Sequence, residues 1–130
     1  MTLRRLEGTM EGTIREISVA NRICFVELPS KTVGLAKSFY RDAFGLEMTD
    51  FGPAYSCTMT GDVDLGIQAD SKEATRAPLP AIQVESIEAT EAFVRKVGGV
   101  ITKATFSFPG GRRFHFRDPA GNELAARQAE

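Results

Sequence analysis

The chain has 130 residues, of which 42% are hydrophobic and 25% charged, and its formal net charge is −1 at pH 7. This length and composition fit one globular domain with its own core. The near-neutral charge argues against recognition of nucleic acid or of an anionic membrane by the surface as a whole. No apolar run approaches the ~20 residues that would span a bilayer.

Residues 1–21 precede the first clear strand pattern, and we read them as an N-terminal extension that is flexible or packed against a partner. They include early arginines but lack the apolar segment of a signal peptide. Cys24 and Cys57 do not form a CxxC pair, and each lies in an apolar stretch. We therefore predict two buried, reduced thiols and a cytoplasmic protein.

The first structural pattern is a strand, "ICFVEL", followed by a helix over "PSKTVGLAKSFYRDAF" that ends at Gly45. Apolar residues recur along this helix at near-helical spacing and predict a stripe that packs in the core: Val33, Ala36, Phe39, Tyr40 and Phe44. Three strand candidates follow, "LEMTDF", "AYSCTMT" and "VDLGIQA", the last two joined by a Gly-Asp turn.

The same order then repeats over "LPAIQVES", "IEATEAFVRKV" and three more strand candidates. A shift of 54 positions places Phe25 on Leu79 and Gly45 on Gly99. We predict an α+β fold of two tandem βαβββ modules, about residues 22–70 and 79–128, within one domain over 22–130. Two such sheets facing each other would form a trough, which is the natural place for a ligand.

Two segments, "FVELPSKTVGLAKSFYRDAFGLEM" and "RFHFRDPAGNEL", resemble the glyoxalase / bleomycin resistance protein / extradiol dioxygenase superfamily, also called the vicinal oxygen chelate superfamily. The resemblance covers about residues 22–127. It implies a U-shaped sheet around a cavity with helices on the outer face. It also implies a dimer and, in many members, one divalent metal ion.

The resemblance further implies where metal ligands would lie, one His or Glu near the middle of each strand that flanks the cavity. In this chain those positions fall on Phe25, Leu79, Ala125 and a site near Gly66 or Gln68. Phe, Leu and Ala carry no donor atom for a metal ion, which needs three or four N, O or S ligands. We therefore expect neither the family's metal ion nor another cofactor.

Strand alternation predicts which side chains face the trough. In "RRFHFRD", Phe114 and Phe116 should pack under a helix, which turns Arg113, His115 and Arg117 toward the trough. Arg113 and Arg117 could clamp a carboxylate or phosphate, or lie solvated at the strand edge. The candidate ligand-binding residues are Phe25, Glu27, Gln68, Gln83, Arg113, His115 and Glu123.

His115, the only histidine, has four possible roles: a satisfied polar residue, a ligand contact, an acid–base catalyst, or a metal ligand together with Glu27 or Glu123. Glu27 and Glu123 are the other catalytic candidates. Neighbouring arginines should lower the pKa of His115 and favour neutral imidazole. We predict that His115→Ala changes ligand affinity with little loss of stability.

The favoured function is binding of a small organic ligand, anionic or aromatic, in the cavity between the modules without the family's metal ion. The alternative is a lyase, isomerase or dioxygenase of the same superfamily, with or without a metal ion. A third reading is an interaction protein whose trough is filled by its own side chains. We expect a homodimer, because a small open sheet has edges to cover, and no nucleic-acid or membrane partner.

Overall fold

The computed structural model describes residues 21–130 together with the backbone of two short strands, β1 (Arg4–Arg5) and β2 (Glu16–Ile17). These two strands pair with each other in antiparallel fashion. Apart from these strands and Asn21, the predicted N-terminal extension over residues 1–21 lies outside the described residues.

Two copies of one βαβββ unit make up the rest of the chain, as the repeat predicted. The first contains β3 (Arg22–Pro29), α1 (Val33–Phe44), β4 (Thr49–Asp50), β5 (Tyr55–Cys57) and β6 (Asp64–Gln68). The second contains β7 (Leu79–Gln83), α2 (Ile87–Lys96), β8 (Val100–Phe108), β9 (Gly111–Arg117) and β10 (Glu123–Ala129). The predicted α+β fold is confirmed.

All eight strands of the two units join in one open sheet with the order β4-β5-β6-β3-β7-β10-β9-β8. The second half of this order mirrors the first, because β3 and β7 meet in the middle as an antiparallel pair. On either side of this pair, β6 runs parallel to β3 and β10 runs parallel to β7. The central strands therefore bring Phe25 and Ala125 to the two sides of Ala81.

The second unit has a core beneath α2, formed by Val84, Ile87, Phe114 and Ala126. Ser86 caps the N-terminus of α2, and its side chain accepts a hydrogen bond from the N–H of Ala89 at 3.1 Å. Phe114 is fully buried in this core, which confirms the predicted phase of β9. The opposite face of the sheet is thereby left for Arg113 and His115.

The prediction that the α1 stripe lies in the core is wrong for its largest members. Phe39 and Phe44 are 58% and 68% exposed, and none of residues 33–44 is fully buried. Of the first unit's strands after α1, β4 and β5 have only two and three residues. They offer the helix little apolar surface, and Phe39, Tyr40 and Phe44 pack on one another instead. The helix does end at Gly45 as predicted, in the left-handed conformation with φ 72°.

Two further predictions concern the chain as a whole. Cys24 and Cys57 are buried and free, as predicted, and burial raises the pKa of both thiols. Among residues 21–130, neither helix is long and apolar enough to cross a membrane.

Candidate functional site

A cavity of about 490 Å³ opens on the sheet face opposite α2, and we call it the main cavity. Most of its wall is apolar or aromatic and comes from both units: Phe25, Phe51, Tyr55, Met59, Phe106 and Phe108. The turn between β8 and β9 forms its lip through Pro109 and Gly110. The main cavity lies where the repeat predicted the trough.

Glu27 is the most deeply buried charged group of the main cavity, with 1% of its surface exposed. Both of its carboxylate oxygens accept hydrogen bonds from Arg113, from Nη1 at 3.3 Å and from Nη2 at 3.5 Å. The Tyr55 hydroxyl donates a third hydrogen bond at 3.0 Å. Burial, reinforced by the negative charge of Glu27, raises the pKa of Tyr55 far above its usual range, so the hydroxyl remains a donor. The three side chains form one hydrogen-bonded cluster lining the cavity.

Apolar side chains occupy the positions that the family resemblance assigned to metal ligands. Phe25, Leu79 and Ala125 lie in one buried cluster with the two cysteines. At Gly66 a Cβ atom would lie 2.6 Å from both Phe25 Cζ and Tyr55 Oη, so the rings fill the space that a ligand side chain would need. The chemistry of these residues does not fit a divalent metal ion.

The alternative metal sites suggested by the sequence are not assembled either. Gln68 lines the main cavity, but its Oε1 accepts a hydrogen bond from the N–H of Asp70 at 3.0 Å. Within residues 21–130, no group of three His, Cys, Asp or Glu side chains is arranged to hold a metal ion. The idea that His115 ligates a metal together with Glu27 or Glu123 therefore has no geometric support there.

His115 and Glu123 line a second, more open cavity of about 920 Å³, beside the segment that links the two units. His115 is 2% exposed, and its Nδ1 lies 3.4 Å from Glu123 Oε2. The Thr102 hydroxyl donates to that same oxygen at 2.8 Å. His115 Nε2 is buried and has no hydrogen-bond partner among the described residues. The histidine and the glutamate thus form a pair separate from Glu27 and Arg113.

The electrostatic environment of His115 follows the prediction. Burial lowers its pKa below the usual range, the Arg113 guanidinium lowers it further, and Glu123 opposes the change. Neutral imidazole is therefore the form favoured in the folded protein near pH 7.

The predicted site residues are divided between the two cavities rather than converging in one. Phe25, Glu27, Gln68 and Arg113 line the main cavity, His115 and Glu123 line the second cavity, and Gln83 lines neither. An ion pair between Lys103 and Glu73 lies at the boundary, since Glu73 lines both cavities. Strand alternation predicts the face of Arg113 and His115 on β9 correctly, but it does not predict the path of the linker between β6 and β7, residues 69–78, across that face.

The main cavity is also lined by four residues that were not among the predicted site residues: Tyr55, Phe106, Phe108 and Arg127. Arg127 lies opposite Arg113 in the ladder between β9 and β10, so its side chain is on the same face of the sheet. The spacing of Phe106 and Phe108, two positions apart just before the glycine-rich lip, could have indicated that both face the cavity. Register shifts in β8 on both sides of Lys103 break the alternation along the whole strand and obscure that signal.

Solved structures with similar folds share little sequence with this chain. Methylmalonyl-CoA epimerase from Mycobacterium tuberculosis is 14% identical, with 87% of this chain and 91% of that chain covered and a TM-score of 0.68. A superfamily member from Vibrio splendidus 12B01 is 18% identical, with 85% and 100% covered and a TM-score of 0.63. The Mn(II)-bound glyoxalase from Novosphingobium aromaticivorans is 20% identical, with 84% and 39% covered and a TM-score of 0.64. These likenesses establish the fold alone.

No protein with a curated description matches the chain. Residues 22–126, by contrast, match the sequence model of one family along most of the chain. The protein belongs to the Glyoxalase/Bleomycin resistance protein/Dioxygenase superfamily.

Proposed function

We propose that the protein binds a small organic ligand in the main cavity without the metal ion used by many members of its family. The observation that carries this proposal is the apolar cluster at the family's metal positions, which contains Phe25, Leu79 and Ala125. A cavity of about 490 Å³ is within the range typical of small-molecule sites, roughly 300–1,000 Å³. Its open volume also argues against a trough filled by the protein's own side chains.

The walls of the main cavity favour a flat apolar ligand. Phe51, Phe106 and Phe108 present rings to it, and aromatic pairs contribute about 0.5–1.5 kcal/mol beyond simple burial. A few polar groups among such walls are the usual means of orienting a ligand.

The test uses N-phenyl-1-naphthylamine, a neutral aromatic probe, titrated by fluorescence into protein whose Ni, Zn, Mn and Fe content has been measured. We expect one saturable site per chain, less than stoichiometric metal, and binding unchanged by EDTA. Phe51→Ala should weaken binding about threefold to tenfold through loss of one ring contact. Phe93→Ala is the matched control, because Phe93 is an exposed phenylalanine on α2 outside the cavity. Stoichiometric metal, loss of binding with EDTA, or absence of a saturable site would contradict the proposal.

A metal-independent isomerase or lyase is the second candidate, favoured by the buried carboxylate of Glu27 in the cavity wall. A carboxylate in a water-poor cavity can accept a proton from a bound carbon acid. Turnover of such a substrate that disappears in Glu27→Gln would favour the enzyme over the binding protein.

We also propose that the chain forms a homodimer through the exposed apolar face of α1, defined by Leu35, Phe39 and Phe44. These side chains are 75%, 58% and 68% exposed, and contiguous apolar surface of this kind marks interaction sites. Phe39→Ser with Phe44→Ser should shift the sedimentation equilibrium toward the monomer, whereas Phe93→Ser on α2 should leave it unchanged. A wild-type protein that sediments as a monomer would overturn this proposal.

A further inference from the structure

The charged groups of the main cavity differ in whether they have hydrogen-bond or ion-pair partners. Glu27 is bound by Arg113 and Tyr55, and Glu73 is paired with Lys103. Asp64 is held by donors of its own loop. Partial burial opposes ionisation of Asp64, yet these hydrogen bonds lower its pKa below the ordinary value and keep it an anion. Each carboxylate of the cavity therefore already has partners.

Arg127 is the exception among the charged groups of the cavity. It forms no ion pair with any of residues 21–130, and its buried Nε–H has no acceptor among them. It lies directly opposite Arg113 on the neighbouring strand, and of these two guanidinium groups only that of Arg113 is paired with the carboxylate of Glu27. Like charges opposite each other in a sheet are destabilising, so an anion bound at Arg127 would relieve this repulsion.

The guanidinium of Arg127 is held in place by aromatic rings. Its Cζ lies 5.5 Å from the centroid of Phe25 and 4.8 Å from that of Phe108, within the range of cation–π contacts. At the lip above it, a Cβ on Gly110 would begin 3.7 Å from Arg127 Nη2, so glycine leaves this edge of the guanidinium uncovered. A planar donor group fixed in this way is suited to bind a carboxylate with two parallel hydrogen bonds.

We infer that Arg127 is the anion anchor of the main cavity and that the ligand is an aromatic carboxylate. Its carboxylate would pair with Arg127, and its ring would lie among Phe51, Phe106 and Phe108. This inference rests on the proposed binding function and adds the chemical class of the ligand. Binding would give Arg127 the carboxylate partner that it lacks within residues 21–130.

The experiment compares 2-naphthoate with the isosteric neutral 2-naphthamide by calorimetry at pH 7. A hydrogen bond to a charged group contributes about 1.5–3 kcal/mol, so wild-type protein should bind the carboxylate at least about tenfold more tightly than the amide. Arg127→Gln should abolish this preference while keeping the affinity for the amide, and Arg127→Lys should retain part of it. Arg117→Gln is the matched control, since Arg117 is an exposed arginine that lines the second cavity.

The outcomes separate the anchor from the binding function. Equal affinity of the wild type for both probes, or a preference that survives Arg127→Gln, would overturn the anchor and leave binding in the main cavity intact. Loss of the preference in Arg117→Gln would also overturn it. A wild-type protein that binds neither probe would overturn both proposals.

Discussion

Arg113→Met is expected to lower the free energy of unfolding by about 3–5 kcal/mol, because it leaves the charge of Glu27 buried without its partner. The Glu27 side chain is 2% exposed and that of Arg113 is 11% exposed, so the carboxylate has little contact with bulk water. Tyr55 alone would then donate to the carboxylate. Urea unfolding of the wild type and the variant at pH 7 measures the difference.

A double-mutant cycle separates the lost pair from the lost packing. Glu27→Gln combined with Arg113→Met removes both charges, and we expect this protein to be more stable than Arg113→Met alone. Arg117→Met is the matched control on the same strand, and since Arg117 is exposed its cost should stay within about 0.5 kcal/mol. A cost below about 1 kcal/mol for Arg113→Met would show that the buried pair does not form.

His115→Ala is expected to lower the free energy of unfolding by at least about 2 kcal/mol at pH 7, as for other large truncations in a packed interior. This corrects the expectation of little loss of stability. The residue does lie on the predicted face of β9, yet it is 2% exposed and its ring packs edge-on against Phe106 at 5.8 Å. His115 therefore lies on the cavity face of the sheet and also stabilises the fold.

The cost of His115→Ala should also depend on pH. Because burial lowers the pKa of His115 in the folded protein, the unfolded chain binds more protons as the pH falls below about 6.5. The stability contributed by neutral His115 is present above that pH and is lost as the pH falls toward the folded pKa. The difference between wild type and variant should therefore narrow from pH 7 to pH 5.

This pH dependence can be assigned to His115, since the chain contains one histidine. His115→Gln, which keeps a polar side chain of moderate size but cannot titrate, should lack the same pH-dependent term. A difference in unfolding free energy that is constant or grows between pH 7 and pH 5 would contradict the neutral, buried state of His115.

Much of the architecture could be predicted from the sequence because it depends on local patterns. Alternating apolar residues define β9 with Phe114 in the core, and the duplicated order of elements predicts the mirrored halves of the sheet. Gly45 ends α1 because its positive φ is readily accessible only to glycine. The same local information, aligned to the family, places Phe25, Leu79 and Ala125 at the positions of metal ligands.

The composition of the site could not be predicted in this way, because it depends on contacts between distant parts of the chain. Glu27 meets Arg113 across 86 positions of sequence, and Tyr55 joins them from a third strand. The linker carries Glu73 to Lys103 and divides the cavity face, so Glu27 and His115 do not share one site.

Local patterns of the sequence thus predict the repeated unit, the residues near which its helices stop and the face on which each residue of β9 lies, since periodicity and backbone preference act within a few residues. Three features follow from the folded arrangement and not from local pattern: Phe39 and Phe44 are exposed, His115 pairs with Glu123, and Arg127 lacks a carboxylate partner within residues 21–130. Exposure and charge pairing depend on distances in space. These distances are set by the strand order, the register shifts and the path of the linker together.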